Sequence, residues 1–440
     1  MCACTLRIAI AMLMLLPSLA LARDTLPQYA HDKSLGVASC SSSLCHGSIE
    51  TWKDSNVLQN EYVTWSRTDK HARAYTVLLN ERSKSIAKKL GMKEAAHKSD
   101  LCLDCHAHNP PAALRGEKFD ISDGVSCEAC HGASERWIKS HVEIKATHED
   151  NLTKGLYRTE NDVARIQLCL SCHLGTQKKL VTHRIMAAGH PRLSFELDTF
   201  TQIGPAHFRI DSDWHQRKGS WDGVRAWAIG QAVTAQELLE LLTGPRGRDG
   251  LFPELVLFDC HSCHHNMSDP RNTAARVGAG PGIVRLNDAS FLMLRQIARR
   301  VDASEANVLA RQIPALHRAI AEGDDALERA RAVQQTLGKL IPKIGAHRFS
   351  VADLRGIMLG LIDDGLAGQY ADYQGAEQAV MAVQSVADFM GRSGMLRSAA
   401  LRPGLTRLMA LVANDEKYRS ASFEQALREL KSSIETGALK

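Results

Sequence analysis

Aromatic side chains are scarce in this sequence. Phe, Trp and Tyr make up 5% of the 440 residues, which is few for a chain that builds its core from side chains alone. The chain also lacks a large excess of either charge, because 54 basic and 49 acidic residues leave a formal charge of +5 at pH 7. With no basic cluster that carries interleaved aromatic residues, the sequence does not predict binding to nucleic acid. The low aromatic content indicates that a bound group supplies part of the apolar core.

Long apolar runs are missing beyond the N-terminus. The first residues contain Arg7, the apolar stretch 8–16 and the small-residue sequence Ala20-Leu21-Ala22, which is the layout of a secretory signal peptide. We therefore predict that residues 1–22 are cleaved on export and that the mature protein is periplasmic. The stretch is shorter than the roughly 20 apolar residues of a spanning helix, so we expect no membrane span after cleavage.

Spare cysteines are absent from the predicted mature chain. Cys2 and Cys4 lie in the signal peptide, and the other ten cysteines stand in five motifs, each a cysteine pair followed directly by a histidine. The motifs are Cys40, Cys45 and His46; Cys102, Cys105 and His106; Cys127, Cys130 and His131; Cys169, Cys172 and His173; and Cys260, Cys263 and His264. The first has C-x4-C-H spacing and the others have C-x-x-C-H spacing. Two thiols at this spacing bind a haem covalently and the histidine binds its iron, which predicts five covalently attached haem c groups.

Two other uses of cysteine pairs fit this pattern less well. A structural zinc site needs four ligands and makes no demand for a histidine directly after every second cysteine. Disulfides within such short segments would close loops too small to remove much chain entropy. The motifs therefore favour haem attachment over both.

The predicted fold class is mainly α, in two parts. Residues 23–282 are expected to form a multihaem cytochrome domain of short helices and long polar loops wrapped around haems. Thr68 is predicted to begin a helix that ends at Gly91, Asn161 or Asp162 to begin one that ends at His173, and 222–244 to form an amphipathic helix.

After the Gly/Pro-rich linker 278–282, residues 283–440 are predicted to form an α-helical bundle without a cofactor. Ser350 with Asp353, and Ser422 with Gln425, match helix capping motifs, and Pro342 is expected to end a helix. The sequence leaves open whether this bundle only packs against the haem domain or also presents a partner surface.

Several segments together resemble the cytochrome c-554/c-prime family of multihaem cytochromes. They are the third motif within 124–132 followed by His141, the motif segments 101–106 and 168–174, and Trp65 shortly before His71. The resemblance covers about 40–175 and implies a mostly helical periplasmic protein that exchanges electrons with redox partner proteins. Two features depart from the family pattern, namely the longer spacing of the first motif and the fifth motif with the helical tail.

The resemblance also implies that His71 and His141 bind haem irons on the distal side. His265, directly after His264, resembles the C-H-H arrangement of other multihaem cytochromes, in which the second histidine binds a neighbouring haem. For the remaining irons the sequence favours His190, with His183 as its alternative, and His97 or His108. The other histidines are not expected to be ligands: His31, His148, His207, His215, His261, His317 and His347.

Two functions fit these predictions. A haem iron with two histidine ligands has no open position, so a chain of such haems carries electrons without binding a substrate. The alternative is a multihaem oxidoreductase that acts on a small nitrogen or sulfur compound at a five-coordinate haem. Since all five motifs end in histidine, the sequence favours the electron carrier and predicts no catalytic residue.

Overall fold

The computed structural model describes residues 25–219, 221–248, 254–264 and 285–438. The predicted signal peptide, the linker 278–282 and His265 lie outside these residues. Within them the protein is mainly helical, as predicted, with eighteen α-helices and only two isolated β-bridges, Ser34 with Arg115 and Phe258 with Leu286. No described helix is both long and apolar enough to cross a membrane.

The first ten α-helices are short and lie in residues 25–219, here called the haem-motif region. They are α1 Glu61–Thr68, α2 Ala74–Val77, α3 Glu81–Lys89, α4 Asp100–His106, α5 Cys127–His131, α6 His148–Thr153, α7 Asp162–His173, α8 His183–Ala187, α9 Leu197–Ile203 and α10 Ser212–Lys218. Single 3-10 turns lie before and between them, at Pro27–Tyr29, Val37–Ser39, Lys70–Arg73, Ala96–Lys98, Ala112–Leu114, Ile121–Asp123 and Ser140–Val142.

Side-chain caps explain where several of these helices begin. The Asn161 side chain accepts hydrogen bonds from the backbone N–H groups of Val163 and Ala164, so the predicted start of α7 is confirmed. The predicted helix from Thr68 to Gly91 is wrong at its start, since Thr68 ends α1. Asn80 caps α3 through the N–H of Ser83 and thereby divides the segment.

Eight further α-helices form the helical region, here defined as 223–433. They are α11 Gly223–Thr243, α12 Ala289–Val301, α13 Ala303–Glu322, α14 Ala326–Ala346, α15 Val351–Leu366, α16 Tyr373–Arg392, α17 Ser398–Leu411 and α18 Ser420–Ser433. Shorter turns lie at Pro245–Arg248, Leu255–Leu257, Cys260–Ser262, Asp415–Lys417 and Ile434–Ala438.

The helix ends in this region confirm some predictions and correct others. Ser350 and Asp353 form a full capping box at the start of α15, as predicted. Ser422 lies inside α18, whose N-cap is Arg419 without a side-chain cap, so that predicted cap is wrong. Pro342 lies inside α14 and does not end it, because packing of the buried Leu340, Ile341 and Ile344 continues past the proline.

The centre of the apolar core is α11. It packs against α7 and α9 of the haem-motif region and against α12, α14 and α16 of the helical region. Its side chains are buried on all sides, with Trp227, Leu239 and Leu242 completely inaccessible, as expected of a helix at the middle of a core. One continuous apolar cluster therefore runs from α7 to α18.

Candidate haem sites

Three of the five motifs occupy the last turns of helices. α4 ends at His106, α5 at His131 and α7 at His173. Helical positions i, i+3 and i+4 share one face, so C-x-x-C-H spacing directs both thiols and the imidazole to the same side. In the first motif Cys40 and Cys45 are five residues apart and would point to different sides of a helix, and the segment instead forms turns after Val37–Ser39. The fifth motif begins in the 3-10 turn Cys260–Ser262.

Each motif histidine lies next to a second histidine from a distant part of the chain. The ring centres are 6.2 Å apart for His46 and His141 (site 1), 6.3 Å for His106 and His190 (site 2), 6.2 Å for His131 and His207 (site 3), 6.3 Å for His173 and His71 (site 4) and 6.3 Å for His264 and His183 (site 5). The ring planes are near parallel at sites 1 and 5, at 15° and 30°, and near perpendicular at sites 2, 3 and 4, at 81°, 86° and 87°.

This spacing fits one metal ion between each pair of rings. Metal–imidazole bonds of about 2.0–2.1 Å on both sides, with ~1.1 Å from each ring centre to its nitrogen, give a separation of about 6.2 Å. Within the described ranges, no group of three or more His, Cys, Asp or Glu side chains could hold a metal ion. Each candidate site thus offers two histidine nitrogens to a metal and two cysteine thiols beside them. This set of side chains is the one that covalent haem c requires.

Five of these histidines also have an acceptor for the other ring nitrogen. The Nδ1 atom of His46 lies 2.9 Å from Glu61 Oε2, and that of His71 lies 3.0 Å from Asp69 Oδ1. Backbone carbonyls accept from Nδ1 of the others: His106 to Ala74 at 3.0 Å, His141 to Ile138 at 2.7 Å and His190 to Pro191 at 2.8 Å. Such second partners fix the tautomer and leave Nε2 free to bind iron.

Burial and hydrogen bonding shift the pKa values of these imidazoles. The hydrogen bond that His46 donates to Glu61 raises the pKa of His46, and the one that His71 donates to Asp69 raises the pKa of His71. Burial lowers the pKa of His131 to about 3, and it also lowers the pKa values of His173 and His190. The buried rings are therefore neutral near pH 7, the form that binds metal.

Apolar side chains are left exposed around site 1. Leu44, inside the first motif, is 78% exposed, and Val142, next to His141, is 68% exposed. Ile144 is fully exposed two residues further on. These side chains lie in or beside the two histidine segments of site 1, where a bound haem would offer apolar surface to cover them.

The cysteines show how the sites are arranged. All ten motif cysteines are free of disulfides. The side chain of Cys40 contacts that of Cys127, which joins sites 1 and 3, and Cys105 contacts Cys172, which joins sites 2 and 4. Cys130 is near enough to Cys169 and Cys172 to interact electrostatically, so sites 3 and 4 are also neighbours.

Site 5 adjoins site 2 through Arg192. This residue follows His190 in the chain, and its guanidinium interacts electrostatically with Cys260 of the fifth motif. His183 of site 5 and His190 of site 2 also lie on α8 and the segment that follows it. In space the sites therefore follow the order 1, 3, 4, 2, 5.

The structure places some of the candidate distal histidines beside motif histidines and others elsewhere. His71, His141 and His190 each face a motif histidine, and so does His183, which the sequence gave only as an alternative to His190. His97 lies against Tyr75. His108 lies against Phe119, and its Nε2 is 2.7 Å from Ser34 Oγ.

Sequence reasoning put His207 among the histidines that are not ligands, yet its ring faces His131 at site 3. It follows Gly204, Pro205 and Ala206 after α9, and nothing in that local pattern distinguishes it from an exposed loop histidine. Only the fold brings the segment after α9 to α5.

Comparison with known families gives one match. The family model of cytochrome c554 and c-prime matches residues 39–132, a segment that holds the first three motifs and His71. Neither a curated protein nor a solved structure matches the chain. Over residues 39–132 the chain is therefore similar to cytochrome c554 and c-prime, and the match supports a c-type cytochrome with covalently bound haem c that transfers electrons.

Proposed function

We propose that the protein is a periplasmic pentahaem electron carrier in which every iron has two histidine ligands. The observation that carries this proposal is the set of five histidine pairs, one for each motif, with ring centres 6.2–6.3 Å apart. The N-terminal pattern at 1–22 and the covalent mode of attachment support export to the periplasm.

The residues that would hold each haem are two cysteines, the histidine that follows them and one distal histidine. The distal histidines are His141, His190, His207, His71 and His183 for sites 1 to 5 in turn. Bound in this way, haem c supplies an iron that gains and loses one electron. With one histidine on each side of the iron, each site would leave no position for a substrate.

The spatial order of the sites supports a single path through the protein. Contacts between Cys40 and Cys127 and between Cys105 and Cys172 bring motifs together that are far apart in sequence. Sites 1 and 5 are the two ends of the series and sites 3, 4 and 2 lie between them. Electrons would enter at one end and leave at the other, and redox partner proteins would bind at those ends.

The ligand assignment is tested at site 3, where His207 has no sequence pattern to support it. Replacement His207→Ala should convert one low-spin haem to high spin and open it to carbon monoxide, while the mass still corresponds to five covalent haems. His215→Ala is the matched control, because His215 is an exposed histidine of the neighbouring α10. If His207→Ala keeps the wild-type spectrum, the assignment of site 3 is wrong.

The electron paramagnetic resonance spectrum of the oxidised wild type tests all five pairs together. Near-perpendicular imidazole planes give a highly anisotropic low-spin spectrum with one large g value, and near-parallel planes give a rhombic one. We expect the two types in a ratio of three to two, from sites 2, 3 and 4 against sites 1 and 5. A high-spin haem in the wild type that binds small ligands would instead support the oxidoreductase alternative.

A further inference from the structure

The first two turns of α16 lie against two haem sites at once. Tyr373 and Glu377 are the first and fifth residues of this helix, and Asp372 is its N-cap. On one side they contact the segment that carries His190 of site 2, and on the other the segment of the fifth motif. This segment of the helical region therefore reaches the point where sites 2 and 5 adjoin.

The contact with site 2 is an ion pair with hydrogen bonds around it. Arg192 Nη2 donates to Glu377 Oε1 at 2.9 Å, and Ser194 Oγ donates to Glu377 Oε2 at 2.8 Å. The Arg192 guanidinium also lies over the Tyr373 ring, 4.9 Å from its centre. The side chains of Arg192 and Glu377 are 18% and 17% exposed, so water screens their charges little.

The contact with site 5 has two links. Arg285 Nη2 lies 2.7 Å from Asp259 Oδ2 and 2.9 Å from Asp372 Oδ2, and it thereby joins the residue before Cys260 to the cap of α16. The backbone N–H of Tyr373 donates to Nδ1 of His261, inside the fifth motif, at 3.2 Å. The position of the motif thus depends on α16.

Arg192 brings a partly buried positive charge to the boundary between the two sites. It interacts electrostatically with Cys260 and lies two residues after His190. Its Nε is buried and has no hydrogen-bond partner among the described residues, and buried donors of this kind usually have an acceptor. The carboxylates of a bound haem c are acceptors of the right charge.

We infer that the ion pair between Arg192 and Glu377, of which Glu377 lies on the second turn of α16, sets the redox potentials of sites 2 and 5 relative to the other three sites. A buried cation favours the added electron and raises the potential of a nearby iron, and the carboxylate of Glu377 offsets this effect. The inference rests on the proposed function, since it takes sites 2 and 5 to hold haems. It gives the helical region a role in electron transfer beyond packing.

Two charge variants of the full-length haem-loaded protein test this inference by the sign of their effects. Glu377→Gln leaves Arg192 without its counter-charge, so the potentials of two haems should shift upward. Arg192→Gln leaves Glu377 unpaired, and the same two haems should shift downward. Damage to packing alone would move both variants in the same direction.

The affected haems can be identified by titration followed with electron paramagnetic resonance. The ring planes differ by 81° at site 2 and by 30° at site 5, so the shifts should fall on one haem of each spectral type. Asp364→Asn is the matched control, because Asp364 pairs with Arg295 at 2.7 Å and is 14% exposed, in the same helical region. The haem redox potentials of the Asp364→Asn variant should equal those of the wild type.

The inference would be overturned if both variants, Glu377→Gln and Arg192→Gln, had the redox potentials of the wild type. It would also be overturned if both variants shifted these potentials in the same direction. The count and spin state of the haems in the wild type test the proposed function separately. Fewer than five haems, or a high-spin iron, would contradict that function. Opposite shifts of the redox potentials at sites 2 and 5 in the two charge variants would still support the role of the ion pair.

Discussion

The haem-motif region and the helical region are stabilised by different means. Helices of the haem-motif region are at most 12 residues long, whereas those of the helical region are 13–21 residues long. Outside the large core that begins at α7, the haem-motif region contains only two small apolar clusters, one around Leu103 and one around Tyr157. Its short segments have too little apolar contact to fold by themselves.

The difference teaches that covalent cofactors and apolar side chains can replace each other as core material within one chain. The histidine pairs of sites 1 to 4 lie entirely within the haem-motif region. Site 5 combines His183 of that region with His264, whose motif is tied to α16. The fifth site therefore lies at the contact between the haem-motif region and the apolar core of the helical region.

The largest expected effect is the loss of structure without haem. If the full chain is made without haem attachment, protease should cut residues 25–160 at least ~10-fold faster than α11 to α18, because only the second region keeps its apolar core. Limited proteolysis with mass spectrometry measures this. Equal protection of both regions would contradict the comparison.

A fragment experiment sharpens the same comparison. The predicted boundary between 282 and 283 stays a prediction, yet α11, which precedes it, packs against α12, α14 and α16. We therefore expect the fragment 221–440 to be more stable than the fragment 283–440, which lacks the buried side chains of Trp227 and Leu239. Denaturant unfolding followed by circular dichroism compares the two.

Single core substitutions should have smaller and unequal effects. Leu337→Ala in α14 removes a side chain with no exposure and should lower the free energy of unfolding by about 2–5 kcal/mol. Leu103→Ala in α4 should cost less, because Leu103 has few apolar neighbours and the predicted thioethers at Cys102 and Cys105 hold the helix. Guanidinium unfolding of the holoprotein measures both, and an equal loss in the two variants would contradict this expectation.

The last expected effect concerns pH and the buried Glu196, which caps α9. Burial raises the pKa of Glu196 to about 7, although its carboxylate accepts hydrogen bonds from the N–H groups of Asp198 and Thr199. Between the ordinary pKa and this raised value the folded state binds more protons than the unfolded state. The free energy of unfolding should therefore fall as the pH rises from about 4.5 to about 7, by up to about 3 kcal/mol from this group.

Glu196→Gln should remove most of this slope, measured by denaturant unfolding at several pH values. Part should remain from Asp198, whose pKa burial raises to about 6. Asp302→Asn is the control, because the hydrogen bond from Lys343 lowers the pKa of Asp302 and its contribution is lost only in more acidic solution. An unchanged slope in Glu196→Gln would show that this carboxyl is not protonated in the folded protein near pH 6.

Local patterns predicted the parts of the fold that depend on neighbouring residues. Asn161 begins α7, and Ser350 with Asp353 begins α15, since a cap needs only the first turn of its own helix. Packing over longer distances was not visible. Pro342 ended a helix in the prediction, but the structure carries α14 past it to Ala346. The predicted bundle 283–440 includes α13, but no sequence pattern placed this helix separately.

The sequence by itself determined the five motifs at which we predict haem attachment. Two thiols and the following histidine lie within five to seven residues, so the spacing alone brings them to one haem, whatever the rest of the chain does. The ten cysteines and five motif histidines follow from this spacing, and the family match covers the first three motifs.

The tertiary structure alone decided which histidine faces each motif and in what order the sites follow one another. His207 and His131, or His183 and His264, are far apart in the chain, and a single imidazole carries no pattern that names its partner. The sequence order 1, 2, 3, 4, 5 becomes 1, 3, 4, 2, 5 because contacts such as Cys40 with Cys127 form only when the chain folds back on itself. The spacing of a predicted haem motif is a local property of the chain, whereas the pairing of its histidine with a second histidine and the order of the sites depend on long-range packing.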